Sequence, residues 1–238
     1  MDDKLQEQSM QYDLHRLVVV MIFIGASIAA AGVSLSVWFE YQNIGFDVLN
    51  RRADFLGDYT ATRYAFIYNM SLMIAGLCIL LSMLGLYLLR LGYFSHYLSL
   101  IGAVVGFAII LMGVFPINYL ELHRLVSTCY LLGTVLMFFL CISDKFNRHS
   151  ICSWPVFFFS VLGFIAASAL VFQLNWRTLD FDPCINHNIK LHFCWPAITM
   201  WCLINIVMLW CLAFAWSIRK IAINNYLELS QRYLAGEH

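Results

Sequence analysis

The stretch AFIYNMSLMIAGLCILLSMLGLYLL, residues 65–89, contains no Asp, Glu, Lys, Arg or His. It is longer than the roughly 20 apolar residues that an α-helix needs to cross the hydrocarbon core of a bilayer. Inside that core an unpaired backbone group is costly, so such a segment must be helical and must satisfy its own hydrogen bonds. We therefore predict a membrane-spanning helix here.

Five other stretches have the same character, and together they predict an all-α integral membrane protein, a bundle of six transmembrane helices. The predicted helices cover residues 17–37, 65–89, 97–115, 125–142, 151–174 and 196–218. The composition agrees with this prediction, because 62% of the 238 residues are hydrophobic and only 12% are charged, whereas soluble domains are usually about 45–50% apolar. No linker or repeat divides the chain, so we expect one domain over residues 1–238.

The distribution of charge along the sequence bears on the membrane orientation and on the kinds of partner to expect. With a cytoplasmic N-terminus, eight of the 14 basic residues lie on the inner side and six on the outer side. This small excess favours cytoplasmic positions for both termini, and we expect the bilayer to be a bacterial inner membrane. The formal net charge is +0. The sequence therefore lacks the excess of basic residues that would indicate a nucleic-acid partner.

Small residues recur at helical spacing within two of the predicted helices. They are Gly25, Ala29, Gly32 and Ser36 in the first helix, and Gly102, Gly106 and Gly113 in the third. Such faces let helices pack closely in a membrane, so we expect a compact bundle rather than a ligand groove. The same faces are also compatible with a homo-oligomer or with a membrane protein partner.

Polar residues collect where the predicted third and fourth helices are connected. Pro116 helps to end the third helix because it lacks a backbone donor, and Glu121, His123 and Arg124 follow. His123 is a candidate proton carrier or headgroup ligand, since the ordinary imidazole pKa is about 6.5. The alternative is an interfacial turn stabilised by an ion pair between Glu121 and Arg124.

The predicted first outer loop is a second polar region. Asp54 and Asp58 in this loop are candidates for binding a cation or a choline-like headgroup, and Arg51 and Arg52 are suited to forked bonds with a phosphate. A merely solvated loop is the alternative. Asn69, at the start of the next helix, is a further candidate ligand residue, or else makes a hydrogen bond between helices.

The last outer loop contains Cys184, His187, His192 and Cys194. A disulfide between Cys184 and Cys194 is the simplest expectation if this loop faces an oxidising compartment. Free thiols are one alternative, and a zinc site made by all four residues is another. The chain has no Gly-rich phosphate loop, GxSxG elbow or HExxH pair, so the sequence predicts no cofactor and indicates no enzyme class.

The middle of the chain, residues 47–133, resembles a known family. The motifs are Asp54-Phe-Leu-Gly57, then Tyr68-Asn69 in a helix that also holds Gly76, then Gly113-Val-Phe-Pro116 followed by His123. They resemble a family of six-helix prokaryotic membrane proteins known only as a domain of unknown function, family number 998. This sequence has Asp54 in place of the family's Ser, Tyr68 in place of its Phe, and a short gap before His123.

The layout is also similar, more distantly, to the family of a GPI-anchor lipid-remodelling factor and the DRAM-type autophagy modulators. That resemblance implies work on lipids at the outer leaflet or in a lumen. Our leading hypothesis is a protein whose outer face binds or processes a lipid headgroup or a small amphipathic ligand. The candidate ligand residues are Asp54, Asp58, Asn69, Glu121, His123 and Arg124. The rival hypotheses are a non-catalytic scaffold or assembly subunit, and a small-solute transporter.

Overall fold

The computed structural model describes residues 2–147, 150–181 and 194–234, and for residues 2–10, 225–226 and 228–234 it describes the backbone alone. The described residues form an all-α structure without a named strand. The elements are α1 (Asp2–Ile44), α2 (Asp47–Asn50), a 3-10 helix (Ala53–Gly57), α3 (Ala65–Leu88), α4 (Tyr93–Val114), α5 (Leu120–Asp144), α6 (Trp154–Gln173) and α7 (Trp195–Leu234).

Six of these helices, all except the short α2 and the 3-10 helix, are long and apolar enough to cross a membrane. Their outward faces carry large exposed apolar side chains, such as Phe107 and Phe172, which only an apolar environment can cover over so wide an area. The protein is therefore an integral, multi-pass membrane protein, and the predicted fold class is confirmed. The prediction of one domain, the membrane orientation and the identity of the membrane stay predictions.

Several helices extend beyond their predicted limits. The long α1 and α7 continue well outside the charge-free stretches, and α5 begins at Leu120 instead of residue 125. The physical reason is that absence of charge marks the hydrocarbon core alone, whereas helices continue into water and the headgroup layer. As a result Glu121, His123 and Arg124 lie on the first turns of α5, not in an interfacial connection.

The six long helices form a ring. Around it α1 packs on α3, α3 on α4, α4 on α5, α5 on α6, α6 on α7, and α7 returns to α1. Glycines allow close approach at the α3–α4 contact, where a side chain on Gly76 would meet the carbonyl oxygen of Gly106 at 2.7 Å. The small-residue face of α4 is thus occupied by a neighbouring helix of the same chain.

The two ends of the ring differ. We call the end with residues 45–64, 115–119 and 174–181 the loop end, and the opposite end the termini end. Towards the termini end large side chains fill the centre: Phe138, Trp210 and Phe214 are almost fully buried. The Trp210 ring stacks on Phe214 with centroids 5.0 Å apart, and its Nε1 donates to Ser160 Oγ at 2.9 Å. We call these three aromatic residues the floor.

Candidate functional site

Between the floor and the loop end the ring encloses a cavity of about 180 Å³. All six long helices contribute to its lining. Most of the wall is apolar, and representative wall residues are Leu72, Ile109, Leu131, Leu170, Leu203 and Val207. The bundle is not filled by side chains at this level, where α1 contributes the small residues Gly25, Ala26 and Ala29 to the lining. Whether this space is a ligand groove stays a prediction.

Charged residues lie at the loop end of the cavity. We call these residues the cap: Arg52, Asp54, His123, Arg124 and Asp180. They come from the 3-10 helix and the residue before it, from α5, and from the segment after α6. The site is therefore an apolar chamber with a single charged end.

Asp180 is the centre of the cap. Its Oδ1 accepts a hydrogen bond from Arg52 Nη1 at 2.6 Å, and its Oδ2 accepts bonds from Arg124 Nε at 3.0 Å and Nη2 at 2.5 Å. Arg52 also forms a two-bond ion pair with Asp54. One carboxylate thus bridges two guanidinium groups that come from distant parts of the chain.

The backbone around Arg52 and Asp54 is fixed by the neighbouring helices. Arg52 is the residue before the 3-10 helix, and Asp54 lies in its first turn. Trp201 of α7 donates its Nε1 to the Arg51 carbonyl at 3.1 Å. Asn69 of α3 donates its Nδ2 to the Gly57 carbonyl at 3.0 Å. The 3-10 helix is therefore anchored at both of its ends.

Burial and ion pairing act in opposite directions on the cap charges. Burial favours a raised pKa for the Asp180 carboxyl, but the bonds and charges of Arg124 and Arg52 outweigh this effect and hold that pKa below its usual value. Burial likewise favours a lowered pKa for Arg52, yet Asp54 and Asp180 raise it. Both groups are consequently ionised at neutral pH, and the cap is a network of true ion pairs.

His123 faces Asp54 from α5. Its Nδ1 lies 2.9 Å from the Phe115 carbonyl oxygen; because a carbonyl can only accept, Nδ1 carries the proton. The Nε2 atom lies 3.8 Å from Asp54 Oδ2, which is longer than a hydrogen bond. In the neutral ring Nε2 is then a hydrogen-bond acceptor at the charged end of the cavity.

The six candidate ligand residues separate into two groups. Asp54, Asn69, His123 and Arg124 line the cavity, whereas Asp58 and Glu121 do not. Arg124 bonds to Asp180 and not to Glu121, which is exposed on α5.

Asp58 joins two connections at the loop end instead of lining the cavity. Its Oδ1 accepts a bond from Asn118 Nδ2 at 2.8 Å, while Asn118 Oδ1 accepts a bond from the backbone N–H of Tyr59 at 3.1 Å. Burial would raise the pKa of Asp58, but bonds from Thr60 and Asn118 lower it. This pair of bonds ties the first loop to the connection between α4 and α5.

Sequence reasoning missed Asp180 entirely. This residue is 128 positions from Arg52 and 56 from Arg124, and no motif marks it. The signal that could have identified it is that Asp180 is an acidic residue in a predicted outer loop, on the same side of the membrane as Arg52 and Arg124.

The predicted metal or disulfide set falls mostly outside the described residues, since Cys184, His187 and His192 belong to the undescribed part of the chain. Cys194 is buried beside the start of α7 and is disulfide-bonded. Its pairing with Cys184 stays a prediction, and so does the zinc alternative.

A family model described as "Protein of unknown function (DUF998)" matches residues 28–217. The chain belongs to the DUF998 family. The match spans all five cap residues and confirms the resemblance seen in the motifs from Asp54 to His123. No curated protein and no solved structure matches the sequence, so membership of the DUF998 family brings no activity with it. The more distant resemblance to the GPI-remodelling and DRAM-type family finds no support.

Proposed function

We propose that the protein binds a small amphipathic ligand or a segment of a lipid. The apolar part of the ligand lies in the ring cavity and its polar group lies at the cap. The observation that carries this proposal is the distribution of polarity in one chamber, with an apolar wall and all its charges at one end. Ligand sites commonly combine a largely hydrophobic lining with a few placed polar groups.

The depth of the cap supports a ligand that comes from the bilayer. His123 and Arg124 lie within the first turns of α5, which begins at Leu120, so the cap is near the headgroup layer if the helix spans the membrane. The cavity extends from there towards the middle of the helices. A lipid-like molecule has the same order, with its polar group at the interface and its apolar chain deeper.

The size of the cavity limits the apolar part. An apolar cavity of about 150 Å³ in another protein takes up benzene, and the present cavity is about 180 Å³. A group of about six carbons therefore matches the volume. Because the floor residues Phe138 and Trp210 close the other end, the geometry favours binding over transport through the ring. Likewise, the packing of Gly76 on Gly106 inside the chain gives the scaffold hypothesis less support.

Filling the cavity tests this proposal. We expect Ala29→Leu to weaken the binding of hexanol by at least about tenfold, because a single added side chain of this size removes much of the volume. The probe is hexanol with a terminal trifluoromethyl group, observed by fluorine NMR with the protein in phosphatidylcholine nanodiscs. A separate resonance for the bound probe distinguishes it from probe dissolved in lipid.

Ala31→Leu is the matched control, since Ala31 lies two residues along the same helix and is exposed on the outside of the ring. It should leave the bound resonance unchanged. Equal binding to the Ala29→Leu protein would place the probe outside the ring and overturn the proposal.

A further inference from the structure

The place of Asp180 in the cap resembles that of a bound anion. Each of its carboxylate oxygens accepts hydrogen bonds from a different arginine, Arg52 for Oδ1 and Arg124 for Oδ2. Planar guanidinium groups recognise the oxygens of carboxylates and phosphates in this way. Arg52 has a second partner in Asp54, and α5 fixes the backbone position of Arg124.

The segment that carries Asp180 is less regular in structure than α5 and the 3-10 helix, the elements beside it in the cap. It is an irregular connection after α6 with two backbone hydrogen bonds, from Asn175 N to the Asp180 carbonyl at 2.9 Å and from Thr178 N to the Asn175 carbonyl at 3.2 Å. Leu179, directly before it, has a φ of 51°, a left-handed conformation that is unfavourable for a residue with a side chain. Release of Asp180 from the arginines would let this residue relax.

We propose that the cap recognises an anionic group, a phosphate or a carboxylate, whose oxygens replace those of Asp180 between Arg52 and Arg124. This inference rests on the proposed function and deepens it by naming the chemical class of the ligand. In the unliganded protein the Asp180 carboxylate occupies the place of the ligand anion and neutralises the arginines. A ligand anion displaces it, and the segment around Leu179 moves away from the mouth of the cavity.

The charge balance of the cap favours an anion over a cation. Two arginines face two aspartates, so the ion pairs cancel while Asp180 is in place. Moving Asp180 away leaves one positive charge in excess beside the cavity, which an anion neutralises. A cation would instead compete with both arginines for carboxylate oxygens that are already engaged.

The inference is tested by comparing how tightly the unaltered protein binds probes that differ only in their head group. The probes share a trifluoromethyl-tagged six-carbon chain and differ in the head: hexyl phosphate, hexanol and hexyltrimethylammonium, each measured by fluorine NMR in phosphatidylcholine nanodiscs. We expect hexyl phosphate to bind at least about tenfold more tightly than hexanol, since bonds to charged groups contribute enough for about one power of ten. The trimethylammonium probe should bind more weakly than hexanol.

The outcomes separate the two proposals. Equal binding of all three probes, or tightest binding of the cation, would overturn the anion assignment while the amphipathic function stands. Binding of none would overturn both. Inorganic phosphate is added as a competitor to identify the source of the anion, and we expect it to bind at least about tenfold more weakly than hexyl phosphate. Equal affinity would support the anion site and overturn the amphipathic function.

Variants of the cap residues test the inference through the direction in which each one changes the affinity for the probes. If Asp180 competes with the ligand, Asp180→Asn should raise the affinity for hexyl phosphate by about tenfold and leave that for hexanol unchanged, whereas Arg124→Gln should lower the first by a similar factor. If Asp180 serves only to hold the fold together, Asp180→Asn lowers the affinity for both probes, and the inference is wrong. Asp58→Asn, at the same end of the ring but outside the cavity, is the matched control.

Discussion

Replacement of Trp210 by alanine is expected to lower the free energy of unfolding by about 3 to 5 kcal/mol, as removal of a large buried aromatic side chain usually does. Trp210 is 2% exposed, contacts Phe138 edge to face with centroids 6.0 Å apart, and donates a hydrogen bond to Ser160. The substitution removes the contacts with the aromatic neighbours and leaves the Ser160 hydroxyl without its donor. Unfolding of the protein in detergent, followed by intrinsic fluorescence, measures the effect.

The same change should deepen the cavity. A small void of about 20 Å³ lies beside Trp210 and shares Ile79, Ile109 and Val207 with the lining of the main cavity. Loss of the indole joins the two spaces, so tagged decanol should gain affinity relative to tagged hexanol. Trp216→Ala, on the same helix at a 68% exposed position, should change neither stability nor chain-length preference. A Trp210→Ala protein as stable as the Trp216→Ala protein would show that the floor does not support the ring.

Arg52→Gln is expected to have the second largest effect. Arg52 joins Asp54 to Asp180, so its loss removes the hydrogen-bonded partner of Asp54 and one of the two arginine partners of Asp180 in a partly buried site. Breaking a buried pair by removing one partner costs about 3–5 kcal/mol. The Arg52 side chain is 17% exposed and is partly screened by solvent, so we expect about 2 to 3 kcal/mol.

Hydrogen exchange makes the Arg52 prediction specific. Backbone amides of residues 175–181 should lose protection in the Arg52→Gln protein, because Asp180 is then held by Arg124 alone. The adjacent Arg51 is the matched control. It is exposed, and its guanidinium lies 5.4 Å from the Phe55 ring centroid; its replacement by Gln should cost well under 1 kcal/mol. Equal exchange and equal stability in the two variants would contradict the role assigned to the cap.

Much of the fold follows from the sequence because the bilayer imposes a simple requirement. A charge-free stretch such as residues 65–89 must be helical in hydrocarbon, and α3 covers Ala65–Leu88 as a consequence. Helix ends outside the hydrocarbon core are not constrained in this way. The early start of α5, which places His123 on a helix, depends on packing at the loop end and was therefore not predicted.

The candidate site was predictable only in part. Asp54, His123 and Arg124 are ionisable residues between charge-free stretches, which marks them in any sequence of this composition. Asp180 becomes their partner only through the ring arrangement, which brings the segment after α6 beside α5 and the 3-10 helix. The cavity itself depends on how six apolar faces fit together. Helical periodicity identifies such faces but does not determine whether they leave space between them.

Xenon binding is the most direct test for an apolar chamber inside the ring. Apolar cavities that stay free of water take up xenon, and pressurised crystals locate the atom by its anomalous scattering. We expect a xenon peak between Leu72, Leu170 and Val207 in the unaltered protein, and its loss in the Ala29→Leu protein. A ring centre filled by side chains, with no xenon peak in the unaltered protein, would contradict it.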